Sequence, residues 1–133
     1  MSENLDLVRS IYADWERGDW SSADWADPEI EYVLPDTPEG GSWKGLGGMA
    51  SAHRNFLSAW GNWHVEAEEY VEIDSERVLV PHRFTARGKR SGLEISEAWG
   101  SGASLFEIRR GLVTRLVNYF DRDRALVDLG LKE

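Results

Sequence analysis

The sequence predicts an α+β fold, in which one strongly curved antiparallel sheet wraps around three N-terminal helices and encloses an internal pocket. Amphipathic helical patterns occupy the first half of the chain, and strand patterns of period two fill the second half. No internal repeat divides the 133 residues, so we expect a single domain over residues 1–133. A bent sheet that is closed by helices suits a small molecule.

The first helix is predicted from an apolar stripe at helical spacing. Its members are Leu5, Val8, Ile11, Tyr12 and Trp15. Gly18 is placed to end this helix, and Asp19 is placed to cap a second, shorter helix that runs to about Ala26. After the turn at Asp27-Pro28, residues 30–34 have the pattern of a short strand.

Residues 35–48 contain two prolines and five glycines, which predicts a loop. Trp43 lies in this loop and is a candidate for an anchor of the loop or for part of a lid over the pocket. A third helix follows and ends at Gly61. Its apolar face consists of Leu46, Met49, Ala50, His53, Phe56, Leu57 and Trp60.

Four strands in a meander are predicted next, from alternating apolar and polar residues. They cover 63–73, 77–87, 94–109 and 112–120, with turns at 74–76, 88–92 and 110–111. Gly100 and Gly102 predict a bulge or a sharp bend in the third of these strands. A short helix over 122–129 ends the pattern, and Asp121 stands where its N-cap would be.

Composition excludes several functions. The net charge of −9 argues against nucleic acid or an anionic membrane as partner. The chain has no cysteine, so disulfides and thiolate sites are excluded, and a cytoplasmic location fits. No apolar run reaches the ~20 residues of a membrane span. Metal-ligand spacings and phosphate-binding glycine loops are also missing, so we expect no metal and no cofactor.

Three stretches resemble the SnoaL-like family of the NTF2-like superfamily, whose fold is a cone-shaped α+β barrel (cystatin-like). They are ERGDW (16–20), FTARGKRSGLEI (84–95) and FEIRRGLVTRLVNYFDRDRALVDLGL (106–131). The resemblance covers nearly the whole chain in element order and implies a homodimer. It leaves function open, because the superfamily contains isomerases, dehydratases, epoxide hydrolases, cyclases and binding modules.

Comparison with the catalytic residues of these enzymes argues against steroid isomerisation. Ketosteroid isomerases use a tyrosine of the first helix, but the corresponding position here is about Ile11. Their Asp base corresponds to a position near Val33, which is apolar. Scytalone dehydratases use His and Asp groups, which His53, His82 and Asp121 would supply. Epoxide hydrolases use an Asp-Arg-Asp set, which Arg83 or Arg115 with Asp121 matches in part. SnoaL-type cyclases use an Asp base, and Asp121 stands at the end of the last strand.

The candidate catalytic residues are Asp121, His53, His82 and Tyr119. Asp121 has two interpretations, as a helix cap or as a pocket carboxylate on the strand face of Val113, Arg115, Val117 and Tyr119. His53 and His82 have two as well, as core residues or as groups that move protons near neutral pH. Strand alternation places His82 on the face of Val78, Val80 and Phe84 and Arg83 on the other face, whereas a bulge at Pro81 would exchange the two.

Seven tryptophans favour an aromatic-lined interior over a solid core. The candidate ligand contacts are Trp15, Tyr32, Trp43, Phe56, Trp60, Trp99, Arg83 and Arg115. The resulting hypothesis is a cofactor-independent proton-transfer enzyme (isomerase, hydratase, dehydratase or cyclase) that acts on a small hydrophobic molecule. The alternative is a non-catalytic ligand-binding or dimeric scaffold module of the same fold, so enzymatic activity is left open.

Overall fold

The computed structural model describes residues 3–17, 24–35, 41–88 and 97–130. In chain order the elements are α1 (Glu3–Glu16), β1 (Ala26–Leu34), β2 (Gly41–Lys44), α2 (Gly45–Ala59), β3 (Trp60–Ala67), β4 (Val71–Glu72), β5 (Arg77–Gly88), β6 (Glu97–Arg109), β7 (Leu112–Tyr119) and α3 (Arg122–Asp128). The seven strands form one curved, unclosed sheet in the order β2-β1-β7-β6-β5-β3, with β4 paired to β5. The predicted α+β fold is confirmed.

The sheet is mixed, because β1 runs parallel to β7 while the other neighbours are antiparallel. The sequence pattern predicted an antiparallel sheet because it identified the hairpins and could not show where β1 would pair. Asp27 and Pro28 lie inside β1, at an irregularity where the Asp27 carboxylate accepts a hydrogen bond from the Glu29 amide at 2.8 Å. The predicted turn is therefore a local bulge within a longer strand.

Two further boundaries differ from the prediction. The second short helix does not reach Ala26, because β1 begins there after a turn at Asp24 and Trp25, and residues 18–23 lie outside the described residues. The predicted loop 35–48 contains β2 and the start of α2. The described helices are therefore two in the N-terminal half and one, α3, at the C-terminal end.

Two apolar clusters cover the two faces of the sheet. The inner face packs against the stripe of α1, with Tyr12, Ile30, Val80, Phe106 and Leu116 among its buried members. The outer face is covered by α3 and β4, and its buried members are Leu79, Ala103, Leu105, Val117, Tyr119 and Ala125. Burial of the α1 stripe explains why this acidic, amphipathic segment is helical here, since tertiary packing supplies most of the stability of a helix.

A bulge in β7 decides which of its residues face inward. Glu107 pairs with Arg115 but Ile108 pairs with Val113, so Thr114 is an extra residue. The Thr114 hydroxyl donates a hydrogen bond to the Glu107 carbonyl at 3.2 Å. Val113 consequently belongs to the inner cluster, whereas Val117 and Tyr119 belong to the outer one. The predicted common face of Val113 and Tyr119 is therefore wrong.

Candidate active site

Polar side chains cross the buried inner face of the sheet as one continuous hydrogen-bonded chain. The Tyr12 hydroxyl lies 2.9 Å from Nδ1 of His82 and donates to Oγ of Ser104 at 2.9 Å. The Ser104 hydroxyl donates to Oδ1 of Asn118 at 2.6 Å, and Nδ2 of Asn118 donates to the Tyr32 hydroxyl at 3.3 Å. Buried polar groups are costly unless they are satisfied, so a connected set of this kind is rigid and specific.

Five elements bring these side chains together. Strand alternation on β5 turns His82 inward with Val78 and Val80, as predicted, and the same alternation on β6 turns Ser104 inward beside Phe106. The α1 stripe carries Tyr12, while β7 and β1 carry Asn118 and Tyr32. His82 and Ser104 are the buried polar side chains among the described residues, at 2% and 0% exposure.

Gly102 makes room for the His82 ring. A Cβ at this position would lie 2.9 Å from Nε2 of His82 and 2.4 Å from the Tyr119 carbonyl oxygen. The register of β5 against β6 is continuous across Gly100 and Gly102, so the predicted bulge is absent from this described pairing. Gly100 has a similar role, because a Cβ there would lie 2.9 Å from the ring of Phe84. Both glycines permit close approach of an aromatic ring to the backbone.

The electrostatic surroundings keep His82 neutral. Burial, the largest cause, and the positive charge of Arg122 together lower its pKa from 6.5 to about 4, although the Glu68 carboxylate acts in the opposite direction. Arg122 donates to the His82 carbonyl at 2.9 Å and to the Gly102 carbonyl at 3.3 Å, and it forms an ion pair with Glu68. Burial raises the pKa of both Tyr12 and Tyr32, so each phenol keeps its hydrogen.

Part of the inner face is less tightly covered than the α1 cluster. Tyr32, Phe84, Asn118 and Phe120 are half-buried. The rings of Phe84 and Phe120 lie 5.6 Å apart between centroids, and Phe84 lies 6.3 Å from His82. Next to them, Trp43 on β2 packs 6.1 Å from Tyr32. An apolar, partly accessible surface therefore adjoins the polar chain.

Asp121 caps α3. It is exposed, and its Oδ1 accepts hydrogen bonds from the amides of Asp123 and Arg124 at 3.0 and 3.4 Å. The capping interpretation is confirmed, and a catalytic role for Asp121 stays a prediction. Tyr119, the other catalytic candidate of this segment, lies in the outer cluster, where its hydroxyl donates to Asp128 at 3.1 Å.

The other predicted residues lie in the inner cluster, on the surface of the sheet or outside the described residues. Trp15 is buried in the inner cluster. Arg83 is exposed on the outer face beside Glu66 and Glu68, and Arg115 pairs with Glu31 and Glu107. The side chains of His53, Phe56, Trp60 and Trp99 lie outside the described residues.

Sequence reasoning missed Tyr12, Ser104 and Asn118 as site residues. Tyr12 was predicted only as a member of the apolar α1 stripe, and the structure adds the contact of its hydroxyl with Nδ1 of His82. Ser104 and Asn118 carried a weak indication, because each lies two residues from an inward apolar residue, Phe106 and Leu116. Neither residue type suggests a site until both are seen to be buried.

The described residues contain neither a metal-binding cluster nor a membrane-spanning helix. No group of three or more His, Asp or Glu side chains is arranged there to bind a metal ion. Within the same part of the chain, the helices are too short or too polar to span a membrane.

Residues 8–116 match the family model described as a SnoaL-like domain. No curated protein matches the chain. An NTF2-like protein of unknown function from Burkholderia pseudomallei is a similar solved structure, with a TM-score of 0.78, 18% identity and coverage of 96% of this chain and 97% of that one.

Two other solved structures are named for chemistry or a ligand. A candidate SnoaL-like polyketide cyclase from Jannaschia has a TM-score of 0.73 at 14% identity, and the match covers 97% of this chain and 90% of that one. TerC, crystallised with polyporic acid, has a TM-score of 0.69 at 23% identity, with 96% and 98% covered. At these identities the likeness shows the fold.

Proposed function

The chain belongs to the SnoaL-like domain family, and from that premise we propose that it binds a small hydrophobic ketone inside the curved sheet and moves a proton on it with its own side chains. The observation that carries this proposal is the buried hydrogen-bonded chain that ends at His82. The reaction class is isomerisation, hydration or dehydration, or cyclisation, each of which requires a proton to leave or reach carbon or oxygen.

His82 is the proposed base. Its pKa of about 4 makes it neutral at physiological pH, so its imidazole accepts a proton. A base this weak requires an acidic C–H, such as one that lies between two carbonyl groups, and it requires stabilisation of the imidazolium in the transition state. The negative charge that develops on the carbonyl oxygen would stabilise the imidazolium as it forms.

The Tyr32 hydroxyl is the proposed donor to the substrate oxygen. It accepts a hydrogen bond from Asn118, and none of the described residues accepts its own hydrogen, which can therefore be donated to a ligand. Tyr32 is half-buried beside Trp43, so an apolar ring that packs there would bring a carbonyl within reach of the phenol.

The similar structures support this class of ligand. Solved structures from Jannaschia, Xanthomonas campestris and Pseudomonas putida are named as candidate polyketide cyclases, and TerC was crystallised with polyporic acid. Polyketides carry ketones on apolar skeletons, which suits an aromatic surface next to a polar chain. We therefore place polyketide-like aromatic ketones first among the substrates to test.

A non-catalytic ligand-binding module is the second candidate. It is favoured by the 2% exposure of His82, because most buried polar side chains are hydrogen-bonded within the core and need no ligand. For either candidate, we also propose that the protein is a homodimer in which the sheet supplies the interface. We propose a cytoplasmic location as well. The molecular mass at micromolar concentration tests the dimer.

The experiment begins with a thermal-shift screen of hydrophobic ketones, because a ligand that binds only the folded state raises Tm. Ketones that bind are then incubated with the protein in D2O. Proton transfer replaces the acidic hydrogen with deuterium, which mass spectrometry detects even where no net product forms. We expect His82→Gln to slow this exchange by about 100-fold or more.

His64→Gln is the matched control, because His64 is exposed on the neighbouring strand β3, and its exchange rate should equal that of the wild type. Binding without exchange in the wild-type protein would contradict the enzymatic proposal and favour the binding module. Equal exchange in wild type and His82→Gln would remove His82 from the mechanism.

A further inference from the structure

The hydrogen-bonded chain has a direction, which the two contacts of Asn118 reveal. The Ser104–Asn118 distance is 2.6 Å, which is typical of an O–H···O hydrogen bond and short for N–H···O. The Asn118–Tyr32 distance is 3.3 Å, which is long for an O–H···O bond and closer to the N–H···O range. The amide therefore presents Oδ1 to Ser104 and Nδ2 to Tyr32.

Counting hydrogens then fixes every other group. Because Oδ1 of Asn118 can only accept, the single hydrogen of the Ser104 hydroxyl points to it. Ser104 consequently accepts from Tyr12, which uses the single hydrogen of that phenol. Tyr12 has none left for His82, so Nδ1 of His82 must be the donor across their 2.9 Å contact.

We propose that Asn118, acting through Ser104 and Tyr12, holds the neutral imidazole of His82 with its hydrogen on Nδ1 and its lone pair on Nε2. Asn118, Ser104 and Tyr12 are thus positioning residues. The use of that lone pair as a base rests on the proposed function, whereas the position of the hydrogen does not.

The surroundings of Nε2 agree with this assignment. Nε2 lies over Gly102, close to where a side chain would begin. Among the described residues it has no hydrogen-bond partner, although the His82 side chain is buried. Within the described part of the chain, a buried imidazole nitrogen without a hydrogen-bond partner is unusual and needs an explanation, and a ligand or reacting group that supplies the missing partner is one.

Rotation of the Asn118 amide by half a turn would reverse the whole chain. Nδ2 would donate to Ser104, Ser104 to Tyr12, and Tyr12 to Nδ1 of His82, so the hydrogen would move to Nε2. In that state Tyr32 would use its own hydrogen on Asn118. The structure's orientation leaves a hydrogen-bond acceptor at His82 and a donor at Tyr32, and a ligand oxygen that accepts from Tyr32 stabilises it further.

The test is the position of the hydrogen on His82, measured by a long-range 1H–15N spectrum of protein with 15N-labelled histidine at neutral pH. His82→Gln identifies the signals of His82 by their loss. We expect the hydrogen on Nδ1 in the wild-type protein, and a spectrum dominated by the Nε2–H form would overturn the proposal.

Two variants test the positioning role. Ser104→Ala releases the Tyr12 hydroxyl to donate to Nδ1, and the nearly isosteric Asn118→Leu releases the Ser104 hydroxyl to donate to Tyr12. Each should shift the ratio of the two forms toward Nε2–H by about tenfold. Ser101→Ala is the matched control, because Ser101 is exposed on the same strand. An unchanged ratio in a folded Ser104→Ala or Asn118→Leu protein would overturn the proposal.

The positioning role and the proposed function can be refuted independently of each other. Deuterium exchange on a ketone with the hydrogen found on Nε2 would overturn the positioning role and leave the enzymatic proposal standing. If the hydrogen is found on Nδ1 but no bound ketone exchanges its hydrogen, the positioning role would stand and the enzymatic proposal would be overturned.

Discussion

Burial of a neutral histidine predicts that the protein loses stability in mild acid. The pKa of His82 is about 4 in the fold against 6.5 in the unfolded chain. Above pH 6.5 both states are neutral, so the free energy of unfolding carries no penalty from His82. Between about pH 6.5 and 4 only the unfolded chain binds the proton, so stability falls as the pH falls. Below about pH 4 both states are protonated and the loss levels off.

The size of the effect follows from the shift. A difference of about 2.5 pKa units corresponds to about 3 kcal/mol, and about half of it is reached by pH 5.5. His82 is 2% exposed, so solvent screening does not reduce this figure appreciably. The perturbation is His82→Gln, which removes the titrating group and adds a cost that does not depend on its protonation.

The assay is urea unfolding followed by tryptophan fluorescence between about pH 7.5 and 4. Carboxylates also titrate in this range, so the informative quantity is the difference between the wild type and His82→Gln at each pH. We expect the wild type to lose about 3 kcal/mol more than the variant, and His64→Gln to follow the wild type. Parallel curves for wild type and His82→Gln would refute the argument that His82 is held neutral by the fold.

Three other changes have definite expected outcomes. Gly102→Ala should lower the free energy of unfolding by about 1–3 kcal/mol, because the added methyl group forces the His82 ring and the neighbouring backbone apart. Gly47→Ala, at a helical position with open space, should stabilise the protein. Urea unfolding compares the two variants, and equal effects would contradict the close approach at Gly102. Asp121→Ala should lower the free energy of unfolding by about 1 kcal/mol in the same assay, because it removes the N-cap of α3. If the variant folds but no longer catalyses deuterium exchange, that result would support the predicted catalytic role of Asp121. Arg122→Met should raise the pKa of His82 in an NMR titration, because the positive charge of Arg122 lowers it; an unchanged or lower pKa would exclude that influence.

The fold was largely predictable because it depends on patterns that are local in sequence. The stripe of α1 and the alternation of β5, which turns His82 inward and Arg83 outward, both follow from the periodicity of helices and strands. The family resemblance agreed with these patterns over nearly the same residues that the family model matches. The parallel pairing of β1 with β7 was not predictable, because it joins residues more than 80 positions apart.

The candidate site was predictable only in part. Asp121 was predicted as a catalytic candidate because a carboxylate at the end of a strand is conspicuous in the sequence. Its described contacts are those of a helix cap. One extra residue, Thr114, reassigned the faces of β7 and separated Val113 from Tyr119. A bulge of this kind leaves the sequence pattern almost unchanged, yet a shift of one residue moves a side chain to the opposite face.

The sequence by itself determined the α+β fold and the family, because propensity, periodicity and apolar burial act over short stretches of chain. Only the tertiary structure decided that Tyr12, Ser104, Asn118 and Tyr32 meet His82. These residues come from four separate elements, and each is ordinary in its own segment. Their chemistry arises from being buried together, where every hydrogen must be matched to an acceptor and one hydrogen bond sets the direction of the next.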